Sequence, residues 1–251
     1  MDRKVELLKE YYRGLPRDRA KIETYEHGFE YVEGMLTDGM TLEYGEASMA
    51  GLLYKYKFSN IPEGKMDELL LSHVRKARNV CLYFDDAAND LFCFNLDNNH
   101  KVNNTVIIPE MELAVRLLRD ILTGLGCEPL VVASGRGYHL WCRLAGRVEN
   151  GKLYDLMLRA MARTLYGLHQ EGLDHNKIKA NFYPDPRIQN TVSLRLFGSE
   201  HTKNKVFSRV FTGDALLDEE ASWSAFENHM NCKTMDERAF HAAFATITGA
   251  V

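Results

Sequence analysis

The 251-residue sequence lacks the cysteine patterns of zinc sites and of disulfide-rich folds. It has five cysteines, an odd number, and no two of them form a Cys-x-x-Cys pair. Four of them, Cys81, Cys93, Cys127 and Cys142, lie within or beside apolar runs, so we expect small core residues. Neither a structural zinc site nor a disulfide framework is therefore predicted.

The sequence also lacks an apolar run of transmembrane length and an amino-terminal signal peptide. Internal repeats, low-complexity segments and a clear linker are missing as well. We therefore expect a cytoplasmic protein with a single domain over residues 1–251. Within it we expect a helical and strand part up to about residue 80, a core at 80–212 and carboxyl-terminal helices at 213–251.

A positive net charge, which is common in proteins that bind duplex nucleic acid, is absent: the formal net charge is −4. The segment from 187 to 209 nevertheless contains five basic residues and one acid, Glu200. The basic residues are Arg187, Arg195, Lys203, Lys205 and Arg209. A local site for phosphate groups is thus compatible with the acidic total.

Hydrophobic periodicity predicts an α/β fold with a mixed sheet. Helices are predicted over 4–12, 19–36, 66–77, 109–125, 152–166, 223–230 and 237–246. Strands are predicted over 54–58, 191–196 and 207–211, as a hairpin over 80–84 and 91–96, and as a strand, turn and strand across 130–144.

Two segments combine glycine turns with hydroxyl, guanidinium and imidazole groups. The first, Ser134-Gly135-Arg136-Gly137-Tyr138-His139, follows an apolar strand, and its glycines permit a tight turn. The second, Arg195-Leu196-Phe197-Gly198-Ser199-Glu200-His201-Thr202-Lys203, repeats the same chemistry. Each alone is a short motif that also occurs by chance in ordinary strand turns. Together they favour phosphate binding.

A third feature is the polar end of the strand predicted over 91–96. Asn95 and Asp97 are two positions apart, so a strand would point both side chains to the same face. A pair of acids in such positions holds a hard cation. An amide oxygen such as that of Asn95 can also ligate the cation, but it brings no negative charge.

These three segments resemble the motifs of the archaeo-eukaryotic primase superfamily, the primases and primase-polymerases. That family has an acid-x-acid strand, a Ser-Gly-Arg-Gly-x-His turn, and an acid followed by a segment like Arg-Leu-Pro-Gly-Ser-x-His-x-Lys. The resemblance spans residues 80 to 205, about half of the chain. This sequence departs from it at Asn95, where an acid is expected, and at Phe197, where proline is usual.

The resemblance implies a fold of mixed sheets in two packed lobes, one of them RRM-like, with helices at both ends. It also implies nucleotidyl transfer from nucleoside triphosphates to a primer or initiating nucleotide on a template, with Mg²⁺ or Mn²⁺. The implied catalytic residues are Asn95, Asp97, Asp185 and His139, and the first three would hold the metal. The implied nucleotide contacts are Ser134, Gly135, Arg136, Gly137, His139, Arg195, Ser199, His201 and Lys203.

The third acid has two candidates. Asp185 lies ten positions before Arg195, close to the usual separation, whereas Asp174 lies twenty-one positions before it. We favour Asp185, although its flanking prolines indicate a strand start or edge rather than a central strand.

The implied partners are single-stranded or primer-template nucleic acid and proteins of replication, repair or defence. A second hypothesis is a degenerate member that binds nucleotide or single-stranded nucleic acid with little catalysis, because Asn95 replaces a metal-ligating acid. A third is a nuclease or nucleotide hydrolase on an unrelated fold.

Overall fold

The computed structural model describes residues 2–25, 28–37, 39–48, 53–99, 108–187, 193–201, 205–232 and 234–248. The chain forms two compact units. The first comprises Met1–Asp85 and Asn190–Phe207, and the second comprises Asp86–Gln189 and Ser208–Val251. The segment that carries Arg195 therefore belongs to the first unit, although it follows most of the second in sequence.

The described elements alternate between helices and strands, which confirms the α/β class. The helices are α1 (Arg3–Tyr11), α2 (Gly28–Thr37), α3 (Glu63–Val74), α4 (Pro109–Gly124), α5 (Asn150–Gln170), α6 (Glu219–Met230) and α7 (Glu237–Thr248). The strands are β1 (Ala20–Thr24), β2 (Thr41–Ser48), β3 (Leu53–Ser59), β4 (Asn79–Tyr83), β5 (Ala88–Asn98), β6 (Leu130–Ala133), β7 (Gly137–Glu149), β8 (Ile178–Tyr183), β9 (Ser193–Arg195) and β10 (Arg209–Val210). No described helix is long and apolar enough to cross a membrane.

The first unit has one antiparallel sheet in the order β2-β3-β1-β4-β9. One face of β1 is apolar, because Ala20 and Ile22 are fully buried. Lys21 and Glu23 alternate with them and therefore lie on the other face. The helix predicted over 19–36 is wrong in its first part, since a period of two at 20–24 builds β1 and only α2 is helical.

The hairpin predicted over 80–84 and 91–96 is also wrong, although both segments are strands. β4 pairs with β1 and β9, whereas β5 pairs with β7 and β8 in the second unit. All five residues of β4 are buried. Each of these two strands lies inside its own sheet, with hydrogen-bonded neighbours on both sides, so the short loop between them joins two sheets.

The second unit has the strand order β10-β6-β7-β5-β8. The run β5-α4-β6-β7-α5-β8 is the split βαβ arrangement of ferredoxin-like and RRM-like folds, which confirms the expected RRM-like half. Neighbouring strands pair antiparallel rather than in a mixed sheet. The reason is that β7 inserts between β5 and β6, the two strands that the α4 crossover connects.

The two faces of this second sheet differ in chemistry. Phe92, Phe94 and Leu96 are fully buried in the core formed with α4 and α5. Asn95 and Asp97 occupy the alternate positions of the same strand and point to the opposite face. This opposite face is apolar where Cys93 and Trp141 are buried, and it is polar at the end of β5, where the predicted residues Asn95, Asp97 and His139 lie.

Candidate functional site

The predicted glycine turn is a two-residue hairpin loop between β6 and β7. The Ser134 N–H donates to the Gly137 carbonyl oxygen at 2.8 Å, and Gly135 has φ +97°. A positive φ at the first central residue is the requirement of a type II′ turn, which glycine meets without strain. A Cβ at Gly137 would collide with the Leu96 carbonyl oxygen of β5. The turn therefore needs both glycines.

The strand register brings the polar strand end and this turn together. In the β5–β7 pair, Asn95 is opposite His139 and Asp97 is opposite Gly137. Directly opposed residues project from the same face with Cβ atoms about 5 Å apart. Asn95 and Asp97 do share a face, since Asn95 Nδ2 donates to Asp97 Oδ2 at 3.4 Å. Residues that are about 40 positions apart in sequence are thus neighbours.

The polar groups at this place are only partly satisfied. Arg136 Nη2 lies 3.9 Å from Asp97 Oδ1, and the two side chains are 26% and 20% exposed. Asn95 Oδ1 is buried and has no hydrogen-bond partner among the described residues. His139 is buried, with its ring perpendicular to that of Trp141. A buried acceptor without a partner is costly, so Asn95 Oδ1 points to a missing donor or cation.

Sequence reasoning missed two residues of this face, which lie on β8. In the β5–β8 pair, Asn181 is opposite Asn95 and Lys179 is opposite Asp97. The alternation Lys179-Ala180-Asn181-Phe182 was the available signal for a strand. We call the following set the polar-face cluster: Asn95, Asp97, Ser134, Arg136, His139, Lys179 and Asn181.

Asp185 lies on the helix-covered side of the same sheet. Its carboxylate accepts hydrogen bonds from the backbone N–H, Nε and Nη2 of Arg187, at 3.0, 2.9 and 2.7 Å. The hydrogen bonds from Arg187 lower the pKa of Asp185. The Arg187 guanidinium stacks 4.7 Å from the ring centroid of Tyr154 in α5, and Tyr154 in turn contacts Phe182.

The register of β8 separates Asp185 from Asp97 in the same way. Lys179 is opposite Asp97, and Asp185 is six positions further along the chain. β8 ends at Tyr183, which is opposite Cys93, so the chain runs about 13 Å along the sheet away from Asp97 before it reaches Asp185. The structure does not bring Asp185 to Asn95 and Asp97, and the metal-binding role of Asp185 stays a prediction.

Asp174, the other candidate acid, caps the short 3₁₀ helix His175–Lys177. Its Oδ1 accepts hydrogen bonds from the Asn176 backbone N–H at 3.0 Å and from Asn176 Nδ2 at 3.1 Å. The backbone hydrogen bond is the main reason why the pKa of Asp174 is lowered. An exposed capping position accounts for this residue without a catalytic role.

The donors present do not fit the divalent cation that the resemblance implies. Within the described ranges, no three His, Cys, Asp or Glu side chains gather as a metal site. The polar-face cluster offers one carboxylate, that of Asp97, and the uncharged amide oxygens of Asn95 and Asn181. Divalent cations in two-metal sites need several carboxylates to offset their repulsion. Here Arg136 and Lys179 supply positive charge instead.

In the first unit, Arg195 lies on β9 opposite Cys81 of β4. Its Nε is 3.8 Å from Glu23 Oε2, and Glu23 is shared with Lys21 Nζ at 3.4 Å. Arg195 Nη1 is buried and has no hydrogen-bond partner in the described part of the chain. Burial raises the pKa of Cys81 to about 12, so this thiol stays neutral and adds no counter-charge.

The segment after Arg195 is held by backbone contacts. The Phe197 N–H donates to the Tyr12 hydroxyl at 3.1 Å, and Asn79 bonds both the N–H and the carbonyl of Glu200. Gly198 has φ +86°, which favours glycine. Ser199 and His201 are buried. Lys203, the last residue of the predicted motif, lies outside the described residues.

His73 in α3 fixes the start of this segment and was missed from sequence. The Val80 N–H donates to His73 Nδ1 at 3.0 Å, so the proton is on Nε2, which donates to the Phe197 carbonyl at 3.0 Å. Burial lowers the pKa of His73 to about 4, which keeps the ring neutral. No local sequence signal connects a helical histidine to a loop 124 residues away.

No family model matches this sequence, and no curated protein matches it. The structure is similar to the polymerase domain of Mycobacterium tuberculosis ligase D in complex with DNA. The match covers 98% of this chain and 88% of that chain, with 12% identity and a TM-score of 0.50. The two proteins share a fold. An unknown protein from Galdieria sulphuraria matches 65% of this chain and 95% of its own at 11% identity, but its TM-score of 0.24 supports no argument.

Proposed function

We propose that this chain is a primase-polymerase-type domain of the archaeo-eukaryotic primase superfamily that binds nucleotide phosphates through the polar-face cluster. The observation that carries the proposal is the register that sets Asn95 opposite His139 and Asp97 opposite the Ser134–Gly137 turn. Core packing does not explain why polar motif residues from separate segments meet on one face. The fold shared with a polymerase domain supports the same assignment.

The ligand proposed for the cluster is a nucleoside triphosphate. Arg136 supplies a guanidinium suited to bidentate phosphate contacts, and His139 and Ser134 add an imidazole and a hydroxyl. Arg195, Ser199, His201 and Lys203 are proposed as nucleotide contacts on the basis of the resemblance and of the partnerless Arg195 Nη1.

Nucleic acid is proposed as the second ligand. The ligase D polymerase domain was solved with DNA, and the resemblance implies single-stranded or primer-template nucleic acid here. The net charge of −4 argues for a small contact area rather than for a broad basic surface. We therefore expect weak binding that falls as salt concentration rises.

Of the two functions implied by the resemblance, the geometry favours binding with little catalysis. Nucleotidyl transfer of the implied type uses Mg²⁺ or Mn²⁺ held by several carboxylates, and the polar-face cluster has only Asp97. Asn95 occupies the position where the family has an acid. We assign no step of transfer to these residues, and we expect primer synthesis or extension to be weak or absent.

The binding proposal is tested with a fluorescent ATP analogue. Arg136→Ala and His139→Ala should each weaken binding about tenfold, because each removes a phosphate contact. Arg159→Ala is the matched control, since Arg159 pairs with Asp155 on α5. Unchanged affinity in both site variants, with melting temperatures near the parent value, would overturn the proposal.

A further inference from the structure

We infer that Lys179 and Arg136 take the place of the divalent cation in the polar-face cluster, so that the site binds a triphosphate without metal. The inference rests on the proposed function, since it concerns how that same site meets the phosphate charge. In addition to the proposed function, it assigns a phosphate-binding role to Lys179 and states that binding does not require a metal ion.

The first argument is the position of Lys179. It lies directly opposite Asp97 in the β5–β8 pair, so both side chains leave the sheet on one face. Asn95 is its diagonal neighbour, within reach of a long side chain. Lys179 is exposed and Asp97 is 20% exposed, so the ammonium group can move between the carboxylate and a bound phosphate.

The second argument is the local charge. Asp97 contributes one negative charge, whereas Arg136, at 3.9 Å, and Lys179 contribute two positive charges. The two cationic side chains therefore offset the attraction that Asp97 alone would exert on a divalent cation. A triphosphate meets net attraction at the same place.

The third argument is the type of donor that the acceptors require. Asn95 Oδ1 is a buried acceptor without a partner among the described residues, and Asp97 lies beside it. A lysine ammonium has three N–H donors and no acceptor, so it can bond an amide oxygen, a carboxylate and a phosphate at once. A single carboxylate beside uncharged amide oxygens suits such a group better than it suits a divalent ion that requires several anionic ligands.

The two cationic side chains also determine which form of ATP the site prefers. Magnesium neutralises part of the charge of a triphosphate, and that charge is what Lys179 and Arg136 attract. Metal-free ATP should therefore bind more tightly than its magnesium complex, the reverse of a metal-dependent polymerase site.

The first experiment uses the metal alone. We expect the unaltered protein to show no Mn²⁺ bound at Asp97 in an electron paramagnetic resonance titration. The double variant Asn95→Asp/Lys179→Asp, which places three carboxylates on this face, should gain one Mn²⁺. Mn²⁺ binding by the unaltered protein that is lost in Asp97→Asn would overturn the inference. That comparison is decisive even if the double variant does not fold.

The second experiment measures ATP affinity by calorimetry in EDTA and in magnesium chloride. We expect ATP to bind more tightly in EDTA than in magnesium chloride, and we expect Lys179→Ala to weaken the binding in EDTA about tenfold. Lys152→Ala, at an exposed position on α5, is the matched control and should change nothing. Binding that is equally tight or tighter with magnesium would overturn the inference and leave the proposed function standing. Absence of binding in both conditions would overturn the proposed function, and with it the inference that Lys179 binds a triphosphate. The Mn²⁺ titration would then still show whether Asp97 holds a metal.

Discussion

The two sheets differ in how the positive charges on their polar faces are balanced. In the first unit the lysines have acidic partners, with Lys57 2.6 Å from Glu43 and Lys55 2.8 Å from Glu46. In the second unit Arg136 Nη2 is 3.9 Å from Asp97 Oδ1 and Lys179 stands opposite Asp97 in the strand pair, so two cationic residues lie next to one carboxylate. The charged side chains on the first sheet neutralise one another, so their presence needs no ligand to explain it. The excess of positive charge on the second sheet is the basis of the anion site that we propose.

Arg195 is the exception within the first sheet. It competes with Lys21 for Glu23 and keeps a buried Nη1 without a partner among the described residues. In each sheet a predicted site residue thus has a buried polar atom without a hydrogen-bond partner among the described residues. These atoms are Arg195 Nη1 in the first sheet and Asn95 Oδ1 in the second. Unmet capacity in a buried group is a stronger pointer to a ligand than residue type alone.

The largest expected effect concerns the first unit. His73→Ala should lower the free energy of unfolding by about 4 kcal/mol, because it leaves the Val80 N–H and the Phe197 carbonyl buried without partners and opens a cavity. Chemical denaturation measures this loss. His169→Ala, at the end of α5 in the second unit, is the control. A loss below about 1 kcal/mol would show that His73 does not hold the Arg195 segment.

The second prediction is that His73 makes the stability of the folded protein decrease at acidic pH. Its folded pKa of about 4 lies below the unfolded value of 6.5, so the unfolded chain takes up a proton first as the pH falls. Stability should therefore decrease between about pH 6.5 and pH 4, by about 3 kcal/mol in total. Denaturation at several pH values tests this. His73→Gln should flatten the profile, and an equally steep profile in that variant would assign the effect to other groups.

The third prediction concerns a double variant in which acidic side chains replace an amide and a cation on the second sheet. Asn95→Asp combined with Lys179→Asp should raise primer extension in Mn²⁺ by roughly a hundredfold over the unaltered chain, since it restores negative charge for the metal. Asn95→Asp alone should raise primer extension less, because the positive charge of Lys179 still repels the metal ion. Robust extension by the unaltered chain would contradict the account of both residues.

The smallest expected effect tests the paired charges of the first sheet. Lys55→Ala should change stability by less than about 1 kcal/mol, since its partner Glu46 is partly exposed and such pairs contribute little. ATP affinity should not change. A clear loss of ATP binding in this variant would remove the distinction between the two polar faces.

The sequence was sufficient to predict the elements that are specified by residues close together in the chain. The apolar stripe of α4, the glycine hairpin and the shared face of Asn95 and Asp97 follow from periods of 3.6 and 2 and from turn chemistry. The structure adds that Asn95 is opposite His139, which no local pattern specifies.

The sequence could not determine features that depend on partners distant in sequence. β1 contains residues that also suit a helix, and its pairing with β3 and β4 decides its state. Asp185 has the expected spacing from Arg195, but the register of β8 places Lys179 beside Asp97 instead. Register is a property of two strands together, so spacing along one chain could not determine which residue stands opposite Asp97.

The most direct test is a crystal structure of the protein with ATP, grown in manganese chloride, with anomalous diffraction recorded to locate manganese. The account predicts triphosphate oxygens within hydrogen-bond distance of Arg136, His139 and Lys179, and no anomalous peak beside Asp97. A manganese ion ligated by Asp97 and the phosphates would contradict the metal-free site, and a nucleotide bound away from the polar-face cluster would contradict the proposed function.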